Sequence, residues 1–370
     1  MELEHRYGAG VTIHLDWAAC GQASAGTLRA AAAHADLESQ IGAYVAQAEA
    51  SDVIEAGRAG LAELLGVDND AVALTRSASD SLEALLAVWP LSAGDTVAIV
   101  RSEWGPNIDA FAHHGLAIVE LESQDDGVID LAALRRLVRT EPPSFVHLTQ
   151  VASHRPLVQP VAEAAAICRD AGVPLWVDAA QALGHADTAF GADAIYSTSR
   201  KWLAGPRGVG ILAVIAPWRD QLLVAPSGLE LSSLPADVSP MRFLEPGEAH
   251  IAGRVGLANA VREHLDAGPA AVRSRLVSAG KLARATLADL PGWEVVGGAD
   301  SAITALRPLA GQDVPSVRSR LLAEHRIVTT AAQPVRAPRD MDSYYLRVSP
   351  HAGSTESDLV QLRSALLALD

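Results

Sequence analysis

Cysteine is scarce. The 370 residues hold only Cys20 and Cys168, far apart and without metal-ligand spacing. That argues against a disulfide framework and a metal site, and for a reducing cytoplasm. Each cysteine also reads as a small buried hydrophobe. No uncharged apolar run is long enough for a membrane-spanning helix. The opening "MELEHRYGAG" carries acidic residues and no apolar core, so it does not read as a signal peptide. Basic charge is also in short supply. Lys and Arg number 29 against 44 Asp and Glu, a formal net charge of −15. That balance argues against nucleic acid or an anionic membrane as partner and leaves a small-molecule substrate. No internal repeat stands out.

What is present is apolar and alternating. Hydrophobic residues make up 49% of the chain, enough for a large core. Residues 24–66 show helical spacing, interrupted near Gly42 and Ser51. Strands are then expected at 71–75, 96–100, 117–121, 145–149, 174–180, 194–199 and 208–215. Helices are expected between them at 79–89, 107–115, 130–139 and 161–172, the third opened by Asp130 as N-cap. This alternation predicts an α/β fold with a mostly parallel sheet covered by helices on both faces. The stretch 220–250 is irregular and reads as an interface loop or a substrate lid. Beyond it, a helical stretch (251–290), the strands "WEVVG", "AITAL", "RIVTTA" and "YYLRVSP", and two helices predict a smaller α+β domain. The division expected is 14–250 for a large domain, with 1–13 and 251–370 for the small one.

Three strand ends carry unusual polar residues. "LTRSASDSL" is a strand, a turn of small hydroxyl residues and a helix start, which suits a phosphate or an ordinary helix cap. "LWVDAAQALGH" ends an apolar strand on Asp178, a costly carboxylate unless a cation or donor meets it. "YSTSRKW" sets Lys201 beyond the next strand end. Together, a phosphate cradle, a carboxylate and a lysine are what pyridoxal 5′-phosphate requires: the amine meets the aldehyde and the carboxylate pairs with the ring nitrogen. Arg200 beside Lys201 is placed to lower the amine's pKa and to reach the phosphate.

These motifs, in this order, resemble the class V aminotransferase superfamily, which includes the cysteine desulfurases. The resemblance covers nearly the whole chain and implies a fold-type I enzyme with a seven-stranded sheet. "LTRSASDSL" implies Ala78 and Ser79 as phosphate contacts. "SEWGPN" implies Trp104 as the aromatic residue stacked on the cofactor ring. "VDAAQALGH" implies Asp178 on the pyridine nitrogen and Gln181 on the ring hydroxyl. "STSRKWLAGPRGVGIL" implies Lys201 as the cofactor-bearing and catalytic lysine, with Thr198 and Arg200 at the phosphate. "YYLRVSPHAGSTESDL" implies Arg347 on the substrate carboxylate. Active sites shared across a homodimer follow from the same likeness.

The departures bear on the reaction. In "VTTAAQPVR", Ala331 stands where one group of cysteine desulfurases carries the catalytic cysteine. A desulfurase needs a thiolate to accept sulfur. Without one, sulfur leaves with the product, as in a carbon–sulfur β-lyase that releases pyruvate and ammonia. In "TQVASHRPLVQP", Ser153 replaces an asparagine, and His154 and Arg155 follow; substrate contact and loop packing both remain open. In "EPGEAH", Glu248 replaces a threonine that often reaches the partner subunit's phosphate. "GAYVAQAEA", "SEWGPN" and "TQVASHR" resemble segments of the sulfoxide lyases of ergothioneine biosynthesis. That implies a substrate in which N-trimethylated histidine is joined through a sulfoxide to cysteine. Trp17, Tyr44 and Trp104 offer aromatic faces to its quaternary ammonium, although Tyr44 also reads as a core residue. A desulfurase, an aminotransferase or epimerase, and a non-catalytic binding relative remain as alternatives.

Overall fold

The computed structural model describes residues 12–222 and 239–369. A seven-stranded sheet is built from β2 (Val72–Thr75), β3 (Thr96–Ile99), β4 (Ala117–Glu120), β5 (Phe145–Thr149), β6 (Leu175–Asp178), β7 (Ala194–Thr198) and β8 (Gly210–Val214), after a short β1 (Ile13–His14). The spatial order is β2-β8-β7-β6-β5-β3-β4. All neighbours run parallel except β8, which is antiparallel to both β2 and β7.

Period-two geometry divides each strand between two cores. Leu175 and Val177 of β6, Val146 and Leu148 of β5, and Ile195 of β7 join one cluster. Trp176, Phe145, Ala194 and Tyr196 join the other, with Phe111 from the helix Gly105–His113. Following the same alternation to the strand ends puts His147, Thr149, Asp178 and Thr198 on the second face. The register sets Thr149 opposite Asp178, Asp178 opposite Tyr196, and Thr198 opposite Gly210. Polar groups from three strands therefore meet at one sheet edge, where ligands bind in such folds.

Local signals explain the helix boundaries. Asp130 caps Leu131–Thr140, its Oδ1 accepting from Ala132 N at 2.7 Å and Ala133 N at 3.1 Å. Residues 24–66 divide into Ala25–Ile41, Ala43–Glu49 and Ser51–Leu65, broken at Gly42 (φ 87°) and Ala50. The helix expected from 107 starts at Gly105, because Pro106 suits a first turn. The stretch 251–290 is two helices, Ile251–Asp266 and Pro269–Leu287, parted at Gly268.

The second sheet is antiparallel, in the order β12 (Thr330–Ala332), β13 (Tyr345–Val348), β10 (Thr304–Pro308) and β9 (Trp293–Val296). Strand β10 starts two residues later than "AITAL" predicts. The backbone N–H of Ala302 donates instead to His185 Nε2 at 2.9 Å, and that of Ile303 to Ser301 Oγ at 3.0 Å. "RIVTTA" splits, since β11 (Ile327–Val328) pairs with β1 and only the remainder enters the four-stranded sheet. The helix Ile251–Asp266, which the sequence reading assigns to the small domain, packs against Ala25–Ile41 and Ser51–Leu65. Of the expected interface or lid at 220–250, residues 223–238 lie outside the described residues. Beyond them Glu245 is tied down by Arg58 Nη1 at 2.6 Å and Arg254 Nη1 at 2.8 Å. Among the described residues no helix is long and apolar enough to cross a membrane.

Candidate active site

The strand ends open onto one cavity of about 130 Å³. It is lined by Ser77, Ala78 and Ser79, by Trp104 and Asn107, by Thr149 and Ser153, by Asp178, Ala180 and Gln181, and by Thr198, Arg200 and Lys201. The structure thus gathers every residue that the sequence reading placed on the cofactor, and Ser153 with them.

Each wall has a local cause. Ser77 caps the helix Ala78–Val88, its Oγ accepting from Asp80 N at 3.0 Å. The leading N–H groups of such a helix lack helical partners. The turn is pinned from below. Thr75 Oγ1 and Ser81 Oγ lie 2.7 Å apart, and Ser81 Oγ donates to Ile211 O at 3.1 Å. A Cβ on Gly210 would stand 2.3 Å from Thr75 Oγ1 and 2.4 Å from Ser77 O, so β8 approaches the turn this closely only with glycine there. Asp178 Oδ1 accepts from Ala180 N at 2.8 Å and Oδ2 from Asn107 Nδ2 at 3.1 Å. Burial pushes the Asp178 carboxyl up, and Glu103 adds to this while Lys201 opposes it. Gln181 is held at both ends, donating to Ala18 O and accepting from Trp202 Nε1, each at 2.9 Å. Arg200 donates to Ala19 O.

Lys201 is one of only two lysines in the chain. The other, Lys281, is exposed and pairs with Asp300 at 2.8 Å. Burial lowers the Lys201 amine to about 7; Asp178 opposes the shift, and Arg200, Arg347 and Arg336 add to it. An amine of that kind is a neutral nucleophile and base near physiological pH.

Behind the cavity lies a network that sequence reasoning missed. Glu103, fully buried, accepts from Thr149 Oγ1 at 2.6 Å, and from Asn107 Nδ2 and Trp104 N at 2.8 Å each. Its other oxygen meets His147 Nδ1 at 2.8 Å, and His147 Nε2 meets Tyr196 Oη at 2.9 Å. Burial raises the Glu103 carboxyl, but His147 and these donors outweigh it and the net shift is downward. A signal was present: in "FVHLT", His147 and Thr149 share a face by period two, an odd pair for a buried strand.

Several expected substrate contacts stand elsewhere. Arg347 is wholly buried and does not line the cavity. It donates to Ser153 O at 2.7 Å and to Asp16 Oδ1 at 2.9 Å, and only its Nε lacks a partner. His154 is buried behind the wall, 2.7 Å from Asp340 Oδ2, and burial lowers its pKa. Arg155 grips the same carboxylate at 2.7 Å. Trp17 stacks on His351 at 3.7 Å and faces an adjoining pocket with Trp202 and Glu263. Tyr44 is neither core nor cavity wall in this chain, being 83% exposed. Its short helix turns only Ala46 inward, and a residue two positions away points to the opposite side. Glu248 is exposed. Cys168 is buried in the core, its thiol pushed up to about 12 by burial. Cys20 is nearer than its sequence position suggests. Gly21 N donates to Arg200 O and Arg200 donates to Ala19 O, so the residues on both sides of Cys20 touch Arg200, although Cys20 does not line the cavity.

Residues 13–362 match the aminotransferase class-V family. The chain belongs to this family. It is 44% identical over 361 residues to a probable hercynylcysteine sulfoxide lyase of Mycobacterium tuberculosis, covering 96% of this chain and 90% of that protein. A cysteine desulfurase of Rickettsia rickettsii is 30% identical over 45% of this chain and 42% of its own. Among solved structures, the Escherichia coli cysteine desulfurase CsdA superposes with a TM-score of 0.84 at 23% identity, covering 100% of this chain and 98% of that one. The cystine C–S lyase C-DES superposes at 0.82 and 19%, covering 97% and 98%. At these identities the superpositions establish the fold, fold type I. As an aminotransferase class-V protein the chain is an enzyme with pyridoxal 5′-phosphate as its cofactor. The donor set fits that group. A helix N-terminus with hydroxyls and Arg200 suits a phosphate, a buried carboxylate suits a ring nitrogen, and a lysine of lowered pKa suits an aldehyde.

Proposed function

We propose that this chain is a carbon–sulfur β-lyase acting on a cysteine S-conjugate sulfoxide, hercynylcysteine sulfoxide, and releasing a sulfenic acid, pyruvate and ammonia. The observation that carries the reading is the likeness to the probable hercynylcysteine sulfoxide lyase along 96% of the chain. The site chemistry supports it, since no cysteine lines the cavity among the described residues and Ala331 lies on β12.

In this reading Ser77, Ala78, Ser79, Thr198 and Arg200 hold the cofactor phosphate, and Trp104 covers its ring. Asp178 keeps a proton at the ring nitrogen, and Gln181 faces the ring hydroxyl. When bound, pyridoxal phosphate supplies an electron sink conjugated to the substrate α-carbon. Arg347 reaches the substrate carboxylate only by exchanging its contacts with Asp16 and Ser153 O for it, and that exchange is part of this reading. Lys201 Nζ takes the α-proton. The carbon–sulfur bond then breaks, with both electrons leaving on sulfur as a sulfenate, a better leaving group than a thiolate. The three-carbon remainder hydrolyses to pyruvate and ammonia. His154 and Arg155 act through Asp340 as supports for the Ser153 loop. Trp17 remains the aromatic candidate for the quaternary ammonium, reached from the adjoining pocket. Tyr44 enters only across a subunit boundary, and we infer a cytoplasmic homodimer that shares its sites.

The test is pyruvate release from cysteine conjugates with and without the sulfoxide. Release from the sulfoxide alone supports the lyase; amino-group exchange with a keto acid and no pyruvate overturns it. The position of Cys20 beside Arg200 favours one second reading, a desulfurase with an unusual thiol. Cys20→Ser separates the two: it leaves pyruvate release intact in the lyase and abolishes sulfur transfer from free cysteine in the desulfurase.

A further inference from the structure

Arg336 lies in no role so far described. It ends the single turn Pro334–Arg336 that follows β12. Its guanidinium carbon sits 5.4 Å from the ring centroid of Trp104, a wall of the cavity. The turn is rigidly placed from two sides. A Cβ on Gly105 would stand 2.0 Å from Val335 O, so the backbone presses on the residue after Trp104. Ala337, next in the chain, is buried in a cluster with Ala305, Ala332, Met341 and Tyr345.

The guanidinium is partly buried, yet it makes no hydrogen bond or ion pair among the described residues. Such a group has five donors, and withdrawing it from water without an anion is costly. Contact with the Trp104 ring offsets only part of that cost. The acid it feels, Asp16, is already committed to Arg347 at 2.9 Å and Thr330 Oγ1 at 2.6 Å. Arg200 and Arg347 crowd it further with like charge. Of these three guanidiniums Arg347 has Asp16 and Arg200 is read as the cofactor phosphate's partner, so Arg336 is the one left unanswered, on a pre-set turn and backed by an aromatic face. That arrangement suits a planar carboxylate.

We propose that Arg336 is a specificity-determining residue that receives a carboxylate borne by the departing half of the substrate. The assignment rests on the lyase reading. There the departing half is itself derived from an amino acid and carries its own carboxylate, besides the one on the cysteine half.

The test compares two sulfoxide conjugates of cysteine on the holoenzyme, S-(2-carboxyethyl) and its neutral isostere S-(2-carbamoylethyl). In the unaltered enzyme KM is expected to be lower for the carboxylate-bearing conjugate, on the order of ten-fold or more. In Arg336→Gln that ratio is expected to fall to near one, with the change in KM rather than kcat, and Arg336→Lys to restore part of it. Where the sulfoxides are turned over, equal losses on both conjugates, or no preference in the unaltered enzyme, overturn the proposal. Binding of the matching thioethers, which lack the sulfinyl leaving group, gives a separate readout by calorimetry. A preference there that disappears in Arg336→Gln supports the assignment even if no sulfoxide yields pyruvate, in which case the lyase reading alone fails. Absence of preference in both measurements sinks the assignment whatever the reaction.

Discussion

An amine kept from bulk water and ringed by Arg200, Arg336 and Arg347 gives up its proton near neutrality. In the cofactor-free protein Lys201 is therefore expected to react with amine reagents increasingly as pH rises through about 7. The stability consequence has a definite sign. Between that value and the ordinary 10.5 the unfolded chain binds a proton that the folded chain does not. Stability then rises with pH across this window and is flat below it with respect to this group. Lys201→Met should remove that slope in denaturant melts of the cofactor-free protein at pH 7 and 9. A slope unchanged by the substitution would show that other groups cause it. In the holoenzyme Lys201→Ala should cost about 10²–10⁴-fold or more in turnover. That Lys201 is exceptional was legible from its place after the strand end "AIYSTSR", and also from the scarcity of lysine in the chain.

At the scale of elements, β5, β6 and β7 and the start of Gly105–His113 share one buried polar network through Glu103, His147, Tyr196 and Asn107. The network holds Asn107 against Asp178, and the Glu103 charge helps raise the Asp178 carboxyl. Glu103→Gln should cost about 1–3 kcal/mol, because a buried network left partly unsatisfied bears the desolvation penalty of its groups. Chemical denaturation measures this, and a variant as stable as the parent would refute the role. Weaker retention of pyridoxal phosphate on dialysis is expected alongside, read by absorbance rather than turnover. The strands and helices themselves were legible, because apolar periodicity, Asp130 as a cap and Gly42 as a break are local. The shifted start of β10 was not. It depends on where His185, more than a hundred positions away, takes the Ala302 N–H.

Over the whole molecule, the N-terminal helices leave Leu28, Ile41, Tyr44, Val45 and Val53 exposed. Large apolar side chains gathered in one region mark an association surface. If the chain pairs there, as the homodimer reading holds, Tyr44→Glu together with Val45→Glu should shift the mass in solution toward the monomer. Sedimentation at micromolar concentration checks this, and a parent protein that is already monomeric would end the shared-site reading.

Composition, periodicity and three strand-end motifs indicated by themselves the layered α/β architecture and a cofactor that needs a phosphate cradle, a carboxylate and a lysine, while the resemblance to the class V aminotransferases pointed to the further residues around it. Those features are written in neighbouring positions, where side-chain period, caps and turns act directly. Tertiary structure alone decided the rest. It turned Arg347 onto Asp16, moved Tyr44 outward, set Cys20 beside Arg200 and left Arg336 without an anion. Each of these depends on which distant segments come to share a register, a buried face or a charge, and no local pattern encodes that.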